Sequence, residues 1–123
     1  METTNPSPAS PGYMVLPVAI PGQRTASVTG VVKFKLPWPC KLIAAGATAR
    51  ASGGTTPTLA VDVKRGGTSI LSSPMSITAG QITDGMVSDP APADESEITI
   101  DLAVGGETPT WDDITVLLAL KRL

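Results

Sequence analysis

Histidine is absent from this 123-residue chain, and cysteine occurs once, at Cys40. Without histidine the chain lacks the side chain that most often moves protons near neutral pH and that most often binds metals. Catalytic triads and zinc sites are therefore not expected. A single cysteine cannot close an internal disulfide, which excludes a disulfide-stapled miniprotein and leaves Cys40 as a small side chain expected in the core. Aromatic residues are also few. Tyr13, Phe34, Trp38 and Trp111 are the whole set, too little for a base-stacking surface. Nine basic and eleven acidic residues give a net charge of −2, so no broad positive field exists to attract a phosphate backbone and no nucleic-acid partner is expected. No apolar run approaches the ~18 residues needed to cross a bilayer. The opening Met-Glu-Thr-Thr-Asn-Pro has neither the basic nor the apolar region of a signal peptide, which predicts synthesis in a cytoplasm and no membrane partner.

Proline and glycine, by contrast, occur twelve times each and punctuate the chain at short intervals. Gly-Gly-x-Thr-Pro-Thr occurs twice, at residues 53–58 and 105–110. Glycine permits the positive φ of a tight turn and proline lacks the N–H that a central strand needs, so each hexamer is expected to join two strands. The length fits one domain with a single core. Residues 1–22, with Pro6, Pro8 and Pro11 near their start, are expected to form an extended N-terminal arm, and residues 23–123 the folded domain. Within the arm Met14, Leu16, Val18 and Ile20 alternate around Pro17, the pattern of an edge strand or a docked tail.

Period-two alternation dominates the chain beyond the arm. Val28, Val32, Phe34 and Leu36 share one phase. Pro37-Trp38-Pro39 stops that strand, after which Ile43, Ala45, Ala47, Ala49 and Ala51 form the next. Leu59, Val61 and Val63 alternate with Asp62 and Lys64, and Arg65-Gly66-Gly67 then turns the chain into a hairpin. Residues 74–78 and 82–88 are weaker strand candidates. Ile98, Ile100, Leu102 and Val104 make one late strand, and Ile114, Val116, Leu118 and Leu120 another, whose opposite face keeps the apolar Leu117 and Ala119. Short strands with turn chemistry between them predict an all-β, antiparallel β-sandwich of jelly-roll or Greek-key type.

Candidate reactive groups are sparse. Asp112 and Asp113 are adjacent carboxylates, but neighbours on a strand point to opposite faces, so a turn or solvated strand start is the expected role. Asp89, Asp94, Glu95 and Glu97 match no calcium-loop spacing and read as a solvated loop. Gly66-Gly67-Thr68-Ser69 lacks the lysine and following helix of a phosphate-binding loop. Trp38 and Trp111, each beside a turn signal, fit sandwich caps or a subunit interface better than a sugar-stacking platform. The expected partner-binding residues are Tyr13, Met14, Val15, Leu16, Val18 and Ile20 of the arm together with Trp38 and Trp111. No catalytic residue, cofactor or metal is expected.

From residue 53 onward the order of motifs resembles small virion proteins of tailed bacteriophages. The motifs are a Gly/Thr/Pro turn leading to Leu59-Ala-Val-Asp-Val63, the Lys64-Arg-Gly-Gly-Thr68 hairpin and the Ile77-Thr-Ala-Gly80 turn. An acidic loop at 89–97, Ile98-Thr-Ile-Asp-Leu102, the second Gly-Gly turn and Asp113-Ile-Thr-Val116 come after them. The resemblance implies a structural protein of the virion, a decoration or cement protein on the capsid exterior that binds the assembled head and stabilises it without covalent chemistry. It implies as partners the major capsid protein and further copies of the chain, with a trimer favoured over a dimer. The alternative is a head, collar or tail fibre module that binds a host receptor or glycan. The chain has neither the heptads nor the long repeats of a fibre shaft, which favours decoration.

Overall fold

The computed structural model describes residues 13–35, 40–87, 92–93 and 97–122. Two long strands, β3 (Cys40–Arg65) and β8 (Glu97–Arg122), run antiparallel to each other over almost their whole length. Each bends once, at its Gly-Gly-x-Thr-Pro-Thr hexamer. The two hexamers lie opposite one another, with Gly53 paired to Thr110 and Thr58 to Gly105. They do not join separate strands as expected; they fold one continuous ribbon into two layers. Gly54 (φ +97°) and Gly106 (φ +107°) take backbone angles that suit glycine, and Thr56 and Thr108 both sit at φ +43°. The corner is symmetric in detail. Thr56 Oγ1 donates to the Thr55 carbonyl and Thr108 Oγ1 to the Glu107 carbonyl, both at 2.8 Å.

Shorter strands complete each layer. β1 (Tyr13–Arg24) pairs with the C-terminal half of β8, and β6 (Thr83–Gly85) pairs with the N-terminal half of β3. The first layer therefore has the order β1-β8-β3-β6. In the second, β2 (Val28–Lys35) pairs with the N-terminal half of β8, while β4 (Thr68–Ser69) and β5 (Met75–Ser76) pair with the C-terminal half of β3. The two-residue β7 (Pro92–Ala93) lies against the start of β3. This strand order, with each long strand crossing between the layers, is a jelly-roll sandwich.

The core lies between the layers. Leu42, Ala45, Ala47 and Ala49 of β3 face inward with Ile114, Val116, Leu118 and Leu120 of β8, and Leu59, Val61 and Val63 with Ile98, Ile100 and Leu102. Contact between layers is close at β6: a Cβ on Gly85 would come within 2.7 Å of Met75 Cγ. The expected phase fails at one point. A register shift between Leu42 and Ala44 turns Leu42 inward and leaves Ile43 40% exposed. The Gly66-Gly67 hairpin forms as expected, with both glycines at positive φ and Arg65 paired to Thr68.

Of the two forms expected for Tyr13–Ile20, residues 13–22 take the edge strand, which sets them in the sheet and not in a separate arm. They form most of β1, in register with β8 from Tyr13↔Lys121 to Ile20↔Ile114. Burial explains the docking: Ile20 is 1% exposed, and Met14, Leu16 and Val18 pack against the core.

Candidate docking surface

The outer faces of the two layers differ in chemistry. On the second layer Lys64 Nζ meets Asp101 Oδ2 at 2.8 Å, Lys33 Nζ lies 3.8 Å from Glu97, and Ser69 Oγ donates to Asp62 at 2.7 Å. On the first layer the cross-strand rows are Val15–Ala119–Ala44, then Pro17–Leu117–Gly46–Asp84, then Ala19–Thr115–Thr48. Asp84 is the one charge in those rows. A shallow depression of about 140 Å³ runs between Val15, Ala44, Gly46, Leu117 and Ala119. Ile82 and Met86, at 66% and 73% exposure, flank β6 at the margin of this layer. A second hollow of about 360 Å³ beside the corner is lined by Pro57, Ala60, Ser76 and Ala103 among others and has no charged side chain.

Two aspartates tie the outer strands to the ribbon in parallel ways. Asp113 accepts a hydrogen bond from Arg50 Nε at 2.7 Å and another from the Gly22 backbone N–H of β1 at 3.1 Å. Asp101 accepts from the Gly30 backbone N–H of β2 at 2.7 Å while paired to Lys64. Both glycines have positive φ and lie where β1 and β2 shift register. The hydrogen bond from Arg50, then that from Gly22, holds the Asp113 carboxyl below its ordinary range. The Lys64 hydrogen bond dominates at Asp101, opposed by partial burial and aided by Gly30. The partners Arg50 and Lys64 are raised by the same contacts.

Asp112 and Asp113 do not point to opposite faces. Asp113 has φ +51°, a bulge that puts both carboxylates beside Arg50, whose Nη2 lies 3.9 Å from Asp112. Gln23 Nε2 also donates to Asp112, at 3.0 Å. The cluster closes on itself, so these acids act as a latch on β1.

A depressed carboxylate contributes stability that is complete above its unfolded pKa and is lost as pH falls through the lower folded value. Thermal melts should therefore hold steady down to about pH 4 and then drop, below the ordinary aspartate value of 3.8. In the Asp101→Asn/Asp113→Asn double variant the melting temperature should be lower at pH 7 and change less on acidification. An equal acid slope in both proteins would show that the latches do not carry it.

The expected partner-binding residues separate once placed. Val15 is 52% exposed on the outer face, whereas Met14, Leu16, Val18 and Ile20 point toward the core. The backbone of Tyr13 pairs with Lys121. Trp111 is 2% exposed, which agrees with the expected sandwich cap and not with the interface alternative, and its Nε1 has no hydrogen-bond partner among the described residues. Trp38 lies outside the described residues. The outer-face set of Ala44, Gly46, Leu117 and Ala119 was legible only in part, through Leu117 and Ala119. The pairing that brings β3 and β6 beside them has no local sequence signal.

Strand edges offer little to a partner. Pro17 and Pro21 have no N–H to give, and both lie in β1, the edge strand of the first layer. Gly30 kinks β2, and Lys33 and Lys35 on it oppose strand addition. The edge strands on the other side have two or three residues each. Among the described residues, the side-chain faces are more open than the strand edges.

The fold and its faces define the chain as a jelly-roll β-sandwich. No family model matches it, and no curated protein sequence does. Among solved structures it is similar to a chain of the T=1 particles derived from infectious bursal virus, with a TM-score of 0.51 and 11% identity over 99% of this chain. The likeness is one of fold. The matched region is 36% of that chain, so this protein spans about a third of its length.

Proposed function

We propose that this chain is a structural protein of a virus particle and, within that class, a decoration protein on the capsid exterior of a tailed bacteriophage. The observation that carries the proposal is the jelly-roll body shared with a chain of an assembled viral particle. The order of motifs from residue 53 onward and the apolar outer face of the first layer support the same reading. Its partner is the major capsid protein. Binding only to the assembled shell shifts the assembly equilibrium by mass action: at a free concentration 100 times the Kd, about 2.7 kcal/mol is added per site.

Burial of Trp111 removes one of the two aromatic platforms on which glycan binding would rest. Decoration is therefore favoured over a receptor-binding fibre module.

The test uses purified head shells of the phage that encodes the chain. Saturable co-sedimentation with expanded shells, no binding to unassembled capsid subunits and a raised shell melting temperature are the expected results. Failure to co-sediment, or equal affinity for free subunits, would exclude decoration.

A further inference from the structure

We propose that Met86 is an oxidation site of this protein, a thioether that hydroperoxides convert to the sulfoxide while the fold stays intact. The chain has four methionines, of which Met14, Met75 and Met86 lie among the described residues. Their surroundings differ. Met86 is 73% exposed, Met75 is 3% exposed, and Met14 is half-buried against the core. Oxygen transfer to sulfur requires contact with the oxidant, so exposure ranks the three.

The fold sets this ranking through Gly85, the last residue of β6. A Cβ on Gly85 would lie 2.7 Å from Met75 Cγ and 2.8 Å from Met75 Sδ, so the side-chain direction at 85 is inward and that of the next residue, Met86, is outward. The backbone there is anchored. The Met86 carbonyl accepts from the Ser72 N–H at 2.9 Å, and Val87 bridges Leu71. Met86 is thus held by its main chain while its thioether projects into water. Because β6 pairs with β3 from Thr83↔Ala47 to Gly85↔Ala45, that thioether lies at the margin of the outer row Val15–Ala119–Ala44.

The chemistry is a two-electron oxygen transfer. An S–O bond forms at Met86 Sδ as the O–O bond of the hydroperoxide breaks; sulfur is oxidised, and the peroxide is reduced to water or, if alkylated, to an alcohol. At Met86 water solvates the new dipole, so stability is unchanged. At Met75 the same oxygen would have to fit beside Gly85 and leave water, which is costly, so oxidation there waits for unfolding. Oxidised Met86 makes the margin of the apolar outer face polar, and a methionine sulfoxide reductase with a thiol reductant reverses the change. The inference does not depend on the virion reading, and its test needs no shells.

The full chain is treated with dilute hydrogen peroxide and digested with trypsin. Met75 and Met86 fall in one tryptic peptide, after Arg65 and up to Lys121, so fragment ions locate the added oxygen. Met86 should react at least about tenfold faster than Met75, in line with the contrast in exposure. In urea above the unfolding midpoint the two rates should converge. Protein oxidised at Met86 should melt like the parent and leave a hydrophobic-interaction column earlier, a step that the Met86→Leu variant lacks and that the reductase reverses. Met75 reacting as fast as Met86 in the folded chain, a selectivity that persists in urea, or a melting temperature that falls in step with Met86 oxidation would each overturn the proposal.

Discussion

Gly54→Ala is expected to cost at least about 3 kcal/mol, a large share of the stability of a domain this size. A Cβ at residue 54 would lie 2.4 Å from the Thr108 carbonyl oxygen and 2.7 Å from that of Glu107. Both obstacles are backbone atoms of the opposing hexamer, so no side-chain rotation relieves them. The +97° φ of Gly54 adds its own strain. Gly106→Ala should behave alike, because its Cβ would meet the Thr56 carbonyl at 2.6 Å. Gly66→Ala is the comparison. Its φ is +59° with nothing within 4 Å of the added methyl, so only the conformational term of about 1–2 kcal/mol applies. In urea unfolding the corner variants should shift the midpoint down by roughly 1–3 M, and Gly66→Ala by clearly less. Equal shifts would mean that the corner relaxes and that the two hexamers are not locked against each other.

Truncation should separate two segments that the sequence alone joins. Deleting residues 1–12 should leave the cooperative unfolding transition intact, whereas deleting 1–22 should abolish it or bring the chain near its unfolding threshold. The longer deletion removes buried Ile20 and the half-buried Met14, Leu16 and Val18, and uncovers Val116, Leu118 and Leu120 on β8. One fully buried and three partly buried aliphatic side chains are worth about 5 kcal/mol, comparable to the whole stability of a small domain. It also removes Gly22, one of the two donors that hold Asp113. Circular dichroism and thermal melts distinguish the outcomes. A folded 23–123 fragment with parent-like stability would show that β1 is dispensable and would restore residues 1–22 as one arm.

Much of the strand content was legible because alternation is a local signal. The phases of Leu59, Val61 and Val63, of Ile98, Ile100 and Leu102, and of Ile114, Val116, Leu118 and Leu120 all coincide with the buried face. The Gly66-Gly67 hairpin was legible for the same reason, since two adjacent glycines permit the paired positive φ that joins two strands directly. Where the reading departed from the structure, a single residue changed the phase. The shift at Leu42/Ala44 reversed Ile43, and the left-handed backbone of Asp113 placed two neighbouring carboxylates together. Such bulges depend on what the partner strand offers, and Arg50 and Gly22 lie 63 and 91 residues from Asp113 in sequence.

By itself the sequence determined an all-β chain with glycine and proline corners at 53–58 and 105–110, an aliphatic core phase and no histidine chemistry. Only the tertiary structure decided that the two corners face each other and bend one ribbon, that residues 13–22 belong to the sheet, and that one outer face is apolar while the other is charged. The reason is physical. Backbone conformation and side-chain phase are set within a few residues, whereas which strands become neighbours is set by burial between segments far apart in the chain, and that pairing alone composes a surface.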